Sequence, residues 1–455
     1  MMERREFLEM AAGAAAAGRA HAAPSRPNLV FILTDDLGLF DLGCYGQKLI
    51  KTPHIDRIRA EGMQFQQAYA GATVCAPSRS CLMTGQHTGH TTVRANHSTR
   101  TKERVPLNDG DVTVAEVLKS AGYATAIFGK WGLGEPGTPG VPNRQGFDDW
   151  FGFLNQDHAV DYFTDYLWRN GRKEVLRGNL NGARGEYTTD LFTREAKRFV
   201  RENSRRPFFL YLAYTAPHAD LMVPRDEWYA RTDWDEQDRT YAAMITHMDR
   251  GIGEVMALLN ELKLDGNTLV FFTSDNGGTY KKGKSRFRST GDLRGIKGQI
   301  YEGGIRVPML ARWPGKIRAG STSQLPWAFW DFLPTAAELA GTKTPANIDG
   351  VSVLPALLGN TPPKREFLYW ENHRRGTFEQ ALRMGDWKAI RMQPNGPLEV
   401  YNLASDPGET SDAAAKEPGI RRRAEEILKT VRTESFEYPS RPARGAARSA
   451  EAHLG

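Results

Sequence analysis

Four stretches of the chain are continuously apolar and turn polar at one end. Asn28-Leu29-Val30-Phe31-Ile32-Leu33 runs into Thr34-Asp35-Asp36, and Tyr123 to Phe128 runs into Gly129-Lys130-Trp131. Pro207 to Ala213 leads to Pro217-His218, and Thr268 to Phe272 leads to Thr273-Ser274-Asp275-Asn276-Gly277. Runs of this kind, without polar alternation, predict strands buried on both faces of a parallel sheet. Helical patterns separate them. One opens on the capping box Thr113-x-x-Glu116 and stops before Gly122; a longer one covers about Asp238 to Leu262. The alternation predicts an α/β fold, a large, mostly parallel sheet sandwiched by helices. Ligands of such sheets gather at the carboxyl ends of the strands. All four runs place their polar residues at that end.

The pattern changes from about Glu366. Alternation at Phe367 to Trp370 and at Trp387 to Arg391 predicts a small antiparallel sheet, with a last helix around Ile420 to Glu434 packed on it. Val351 to Leu358 closes the larger unit, and Thr361-Pro362-Pro363 reads as a linker. At the other end stand Arg4-Arg5-x-Phe7-Leu8, an Ala/Gly run from Ala11 to Ala17, and Ala20-His21-Ala22. A twin-arginine pair, a weakly apolar stretch and an A-x-A site have the layout of a Tat-type export signal. The expected organisation is a signal over 1–23, a large α/β domain over 24–360, a small α+β subdomain over 361–438 and a disordered tail over 439–455. Export through the Tat translocase would deliver the folded protein to the periplasm or the exterior.

Composition narrows the function classes. The 455 residues are 40% hydrophobic and 25% charged, ordinary for a globular protein. No run of 18 apolar residues appears, so no transmembrane segment is expected. The net charge of +6 is too small for a dedicated nucleic-acid binder. It is also local: Lys281, Lys282, Lys284, Arg286, Arg288, Arg294 and Lys297 against Asp292 equal the whole excess, a field suited to an anionic substrate. Three cysteines, Cys44, Cys75 and Cys81, cannot all pair, which excludes a disulfide scaffold.

The strand-end residues Asp35, Asp36, Asp275 and Asn276 offer oxygen donors with no accompanying His or Cys pair. Hard oxygen ligands suit Ca²⁺ or Mg²⁺ rather than zinc. The most informative segment is Cys75-Ala76-Pro77-Ser78-Arg79-Ser80-Cys81-Leu82-Met83-Thr84-Gly85. Pro77 suits a first helical turn, which puts Cys75 at a helix N-terminus with Arg79 close behind, a setting that favours anions and activates nucleophiles. A Cys-x5-Arg phosphatase loop would need arginine at position 81, where Cys81 stands.

These eleven residues resemble the Cys-x-Pro-Ser-Arg-x-x-x-x-Thr-Gly signature of formylglycine-dependent sulfatases. Further stations resemble that family in its order: Asp35-Asp36, Gly129-Lys130-Trp131, Pro217-His218, Ser274-Asp275-Asn276-Gly277 and Lys297-Gly298-x-x-Tyr301-Glu302-Gly303-Gly304-x-Arg306. Arg383-Met384-Gly385-Asp386-Trp387-Lys388 and Tyr401-Asn402-Leu403-x-x-Asp406-Pro407 look like its small domain. The resemblance implies an alkaline-phosphatase-like fold and a sulfuric ester hydrolase. It implies that a maturation enzyme oxidises Cys75 to formylglycine (3-oxoalanine), and that Asp35, Asp36, Asp275 and Asn276 bind Ca²⁺ together with the modified Cys75. Arg79, Lys130 and Lys297 would then supply positive charge to the sulfate, and His218 would protonate the leaving alcohol. Of two hydroxyls on a hydrated aldehyde, one would attack sulfur and the other would expel sulfate.

One departure stands out. Many relatives read Gly-Lys-Trp-His, with the His next to the formylglycine, where this chain has Gly132. Either another residue or water does its work, and His158 in Asn155-Gln156-Asp157-His158 is the candidate. The expected substrate is a sulfated carbohydrate, led by galactose or N-acetylgalactosamine sulfates, with Tyr162-Phe163 and Tyr166-Leu167-Trp168 available to stack on sugar faces. Two other classes fit parts of the pattern. A phosphomonoester or phosphonate hydrolase of the same superfamily would share the sheet and metal logic. A non-catalytic polyanion-binding protein would explain the basic stretch but not the carboxylates.

Overall fold

The structure, a computed structural model, describes residues 26–224, 228–280, 285–374 and 377–440. The export-signal reading and the tail from 441 on lie outside the described residues. A ten-stranded sheet forms the centre. Its middle four strands are Thr268–Ser274, Asn28–Thr34, Phe208–Ala213 and Ala124–Lys130, adjacent in that order and mutually parallel. These are the four apolar runs. Asp149–Phe153 extends the parallel set beyond Ala124–Lys130. Antiparallel strands follow at both sides: Met309–Arg312 against Thr268–Ser274, and Tyr166–Arg169 against Asp149–Phe153.

Strand alternation sorts the core into two layers. Leu29, Phe31 and Leu33 face one side, where helices Val114–Ser120 and Phe332–Ala340 pack. Val30 and Ile32 face the other, against helices Thr188–Glu202 and Glu236–Glu261. With both faces covered, every residue of Asn28–Thr34 is buried, which is why the run needs no polar alternation. The capping box forms: Glu116 N donates to Thr113 Oγ1, and Thr113 N donates to Glu116 Oε2. Asp235 caps the long helix by accepting from Asp238 N at 2.8 Å.

The small sheet has four antiparallel strands, Leu368–Arg374, Thr377–Met384, Trp387–Arg391 and Leu398–Asn402. The last helix is Pro418–Leu428, shorter than the pattern implies. Beyond it the chain bridges the two units: Thr433 N donates to Gly89 O of the larger one, and Arg432 pairs with buried Glu371 of the small sheet. No helix among the described residues is long and apolar enough to cross a membrane.

Candidate active site

Sheet register assembles the site. Thr34 pairs with Ser274, and Leu33 and Gly129 both pair with Ala213, so the polar ends of the middle strands emerge side by side. Gly129 is required there: its φ is +122°, and a Cβ would stand 1.8 Å from Ala213 O. Asp36 sits at φ +67°, a left-handed conformation that turns the chain directly behind the strand. Asp35 N donates to Ala216 O, and Asp275 N donates to Thr34 O. These bonds tie three of the strand ends together.

Cys75 is the first residue of helix Cys75–Thr84, with Ala76 N held by Asn96 Oδ1 at 3.0 Å. Its Sγ lies 3.4 Å from Asp35 Oδ1. Ligand atoms of Asp35, Asp36, Cys75 and His218 all lie within 4.8 Å of one another. Asp275 and Asn276 border the same group, since Asp36 N donates to Asp275 Oδ1 and Asn276 Nδ2 donates to Asp36 Oδ1. Asn276 Oδ1 is buried with no hydrogen-bond partner among the described residues. Two carboxylates in one group, with a third carboxylate and an orphaned amide oxygen at its border, fit a hard divalent cation.

Three cations balance the three carboxylates. Lys130 Nζ stands 2.5 Å from Asp35 Oδ2, and Lys297 Nζ stands 2.7 Å from Asp36. Arg79, wholly buried, donates to Asp275 Oδ2 at 2.8 Å, to Asp35 Oδ2 at 3.3 Å and to Lys130 O at 2.6 Å. Burial would raise the Asp35 carboxyl, but Lys130, His218, Arg79 and Lys297 outweigh it and hold it far below the usual range. Burial also opposes the charge on Lys130, and Asp35 reverses that, leaving its ammonium above the ordinary value. Cys75 behaves differently from the expected activated thiol. Burial, helped by Asp35, pushes it up to about 12. Arg79, at the same helix start, is engaged by Asp275 and Asp35.

His218 Nε2 lies 3.6 Å from Asp36 Oδ2 at the rim of the cluster. Its loop is braced by Tyr162, whose hydroxyl donates to Thr215 O and His218 O. Tyr162 and Phe163 are buried and therefore not free to stack on a sugar. His158 is placed differently from the cluster residues: Nε2 hydrogen-bonds Thr164 Oγ1, and the ring lies against Tyr166 and Phe153. The basic stretch also divides. Lys281, Lys282 and Lys284 lie outside the described residues. Arg286 pairs with Asp238, Arg288 with Asp292, and Arg294 lies over the Tyr301 ring, which leaves Lys297 as the described member facing the carboxylates.

Two contributors are not singled out by the sequence reading. Gln156 packs beside Gly132, and Asn372 of the small sheet accepts from Thr73 Oγ1 at 2.8 Å, two residues before Cys75. The departure at Gly132 was the available signal for the first; a cross-domain contact has none.

The Sulfatase family model matches residues 27–342, and the model for N-sulphoglucosamine sulphohydrolase, C-terminal, matches 296–434. The chain is 34% identical over 399 residues to the N-acetylgalactosamine-6-sulfatase of Canis lupus familiaris, covering 83% of this chain and 73% of that one. It is 29% identical over 491 residues to the N-acetylgalactosamine-6-O-sulfatase of Bacteroides thetaiotaomicron, covering 90% and 93%. The crystal structure of Ps i-CgsB in complex with k-i-k-neocarrahexaose superposes with a TM-score of 0.79 at 32% identity, over 90% of this chain and 94% of that one.

Proposed function

The chain belongs to the sulfatase family, and we propose that it hydrolyses sulfate monoesters on glycan fragments at the Asp35–Asp36–Cys75–Asp275–Asn276 centre. The observation that carries this is the 4.8 Å group of Asp35, Asp36, Cys75 and His218, bordered by Asp275 and Asn276 and ringed by Arg79, Lys130 and Lys297. Asp35, Asp36, Asp275 and Asn276 would hold Ca²⁺, or Mg²⁺ in its place. A divalent ion there supplies Lewis acidity toward a sulfate oxygen and the nucleophile. Formylglycine made from Cys75 by a maturation enzyme supplies the attacking oxygen, a role for which the buried thiol itself is unsuited.

The remaining roles belong to side chains already in place. Lys297 and Lys130 orient the sulfate and offset its charge as the S–O bond breaks. Arg79 fixes Asp35, Asp275 and the Lys130 backbone in one arrangement. His218, held by Tyr162, delivers a proton to the departing alcohol oxygen. Water completes the balance: a sulfate ester and water give an alcohol and hydrogen sulfate. Galactose or N-acetylgalactosamine sulfates are the leading substrates, and N-acetylgalactosamine is the sugar that the Canis lupus familiaris and Bacteroides thetaiotaomicron relatives are named for. Tat export to the periplasm or exterior would bring the enzyme to them.

Sulfate and phosphate release should be assayed in parallel on carrageenan, chondroitin and heparin oligosaccharides, an aryl sulfate and an aryl phosphate. A glycan sulfate turned over most efficiently is expected. Faster release from the aryl sulfate than from every glycan would remove the glycan assignment, and preferred phosphate release would favour the phosphohydrolase reading.

A further inference from the structure

Gly132 follows Lys130 and Trp131 at the edge of the cluster, at φ +83°. A Cβ at this position would stand 2.7 Å from Gln156 Nε2 and 3.8 Å from Arg79 Cδ. The space that a side chain at 132 would enter therefore belongs to Gln156. Its placement is fixed by backbone pairing: Trp131 N donates to Phe153 O and Gly132 N donates to Leu154 O, both at 2.9 Å. Gln156 Nε2 completes the link by donating to Gly132 O at 3.2 Å.

The other end of the amide is unspent. Gln156 is 8% exposed, and its Oε1 is buried with no hydrogen-bond partner among the described residues. Leaving a buried acceptor unpaired is unfavourable, so a water or a ligand group normally supplies its partner. Unlike imidazole, a primary amide neither gains nor loses a proton in the working pH range, so this acceptor can orient a hydroxyl but cannot deprotonate it.

We propose that Gln156 occupies the position left open by glycine at 132 and that its carbonyl oxygen accepts a hydrogen bond from a hydroxyl at the reacting centre. The inference rests on the sulfatase reading. The hydroxyl has two possible sources, the sugar that carries the sulfate or the hydrated aldehyde formed from Cys75. Gln156 is a positioning residue in either case, and the proton chemistry at this corner of the site falls to water.

Gln156→Met keeps the volume and removes both polar atoms; Gln156→His restores an acceptor that also titrates. In the matured enzyme, Gln156→Met should lower kcat/KM by about tenfold or more, the scale of one lost hydrogen bond at a reacting centre. Gln156→His should recover part of that loss and add a limb to the kcat pH profile near the ordinary histidine value of about 6.5, which a merely structural role would not do. Titration calorimetry of galactose 6-sulfate into the Cys75→Ala chain, with and without Gln156→Met, identifies the source. Weaker binding points to the sugar; unchanged binding with reduced kcat points to the hydrated aldehyde. Unchanged kcat/KM together with unchanged binding would overturn the proposal. So would a His158→Ala enzyme that accumulates sulfated protein while Gln156→Met does not. Wild-type enzyme that releases no sulfate from any ester, with calorimetry still sensitive to Gln156, would fault the sulfatase reading alone. Gln156→His also answers the case in which Gln156→Met does not fold.

Discussion

Lys297 Nζ lies 2.7 Å from a carboxylate oxygen of Asp36, although 261 positions separate the two residues. Lys130 makes the matching contact with Asp35. The two pairs differ in burial. Lys130 and Asp35 are enclosed, whereas the Lys297 side chain is 19% exposed. Lys130 thus meets the site from the packed interior, and Lys297 from its open side.

That difference predicts distinct phenotypes. Lys130→Met leaves Asp35 buried with one fewer counter-charge, and breaking a buried pair of this kind is destabilising by about 3–5 kcal/mol. Lys297→Met also strips a counter-charge from a buried carboxylate, Asp36, so it should destabilise as well but by less than Lys130→Met, because the lysine itself is partly exposed, and it should lower sulfate release by at least about 100-fold. Urea unfolding alongside turnover checks both. Equal stability losses would show that burial does not separate the roles.

The orphaned Asn276 Oδ1 predicts a metal-dependent stability that can be read without substrate. Calcium at about 100 times its Kd should raise the unfolding free energy by about 2.7 kcal/mol. Asn276→Leu should remove most of that gain, and Asp275→Ala should remove it and abolish turnover. Thermal unfolding with EDTA and with added calcium measures it. An Asn276→Leu protein stabilised as strongly as wild type would exclude Oδ1 as a ligand.

Local chemistry was legible in the sequence. Buried strands advertise themselves as unbroken apolar runs, so the strand ends bearing Asp35, Lys130, His218 and Asp275 could be read before any coordinates. The Thr113–Glu116 cap could be read for the same reason, since it depends on residues three apart. Contacts set by tertiary packing could not. Histidine chemistry drew attention to His158, but strand pairing delivers Gln156, two residues earlier, to Gly132. Tyr162 reads as a candidate sugar platform, yet the fold buries its ring and uses its hydroxyl to hold the His218 loop. The basic stretch reads as one field because sequence does not show that Arg286, Arg288 and Arg294 find partners of their own.

His87 predicts the acid limb of stability. Its ring stacks on His90 at 4.5 Å, faces Asp349 and meets Trp330 and Tyr369 edge-on. Burial lowers its pKa to about 4, against the opposing pull of Asp349 and Glu371, with His90 adding to the lowering. An unfolded histidine titrates near about 6.5. Above that pH both states are neutral and the contribution is complete. As pH falls toward 4 the unfolded chain takes up a proton that the native one refuses, and stability declines by up to roughly 3 kcal/mol. The Asp349 and Glu371 carboxyls are held below their usual values, so their contributions are lost at lower pH. His87→Gln should flatten stability between pH 6.5 and 4.5 while leaving the fall below about pH 4. Denaturant titrations across that range test the sign, and an unaltered slope would refute it.

Asn372 predicts that the small sheet sets the geometry of the reacting centre. Its Oδ1 accepts from Thr73 Oγ1 at 2.8 Å, and its Nδ2 donates to Gly298 O at 3.2 Å and to Glu379 Oε2 at 2.8 Å. Gly298 N in turn donates to Thr73 O. One amide therefore ties the segment before Cys75 to the segment after Lys297. Removing it leaves the single Gly298 N–Thr73 O bond to hold the two segments together, which loosens their spacing, and a displacement of about 1 Å at a reacting centre can cost as much as 100-fold in rate. Asn372→Ala should lower kcat by at least about tenfold with a smaller change in KM, and lower stability by about 1–2 kcal/mol for the lost buried bonds. Sulfate-release kinetics on the matured enzyme, with unfolding followed in parallel, separate the two effects. If stability falls while kcat holds, Asn372 fastens the sheet in place without positioning the nucleophile against Lys297.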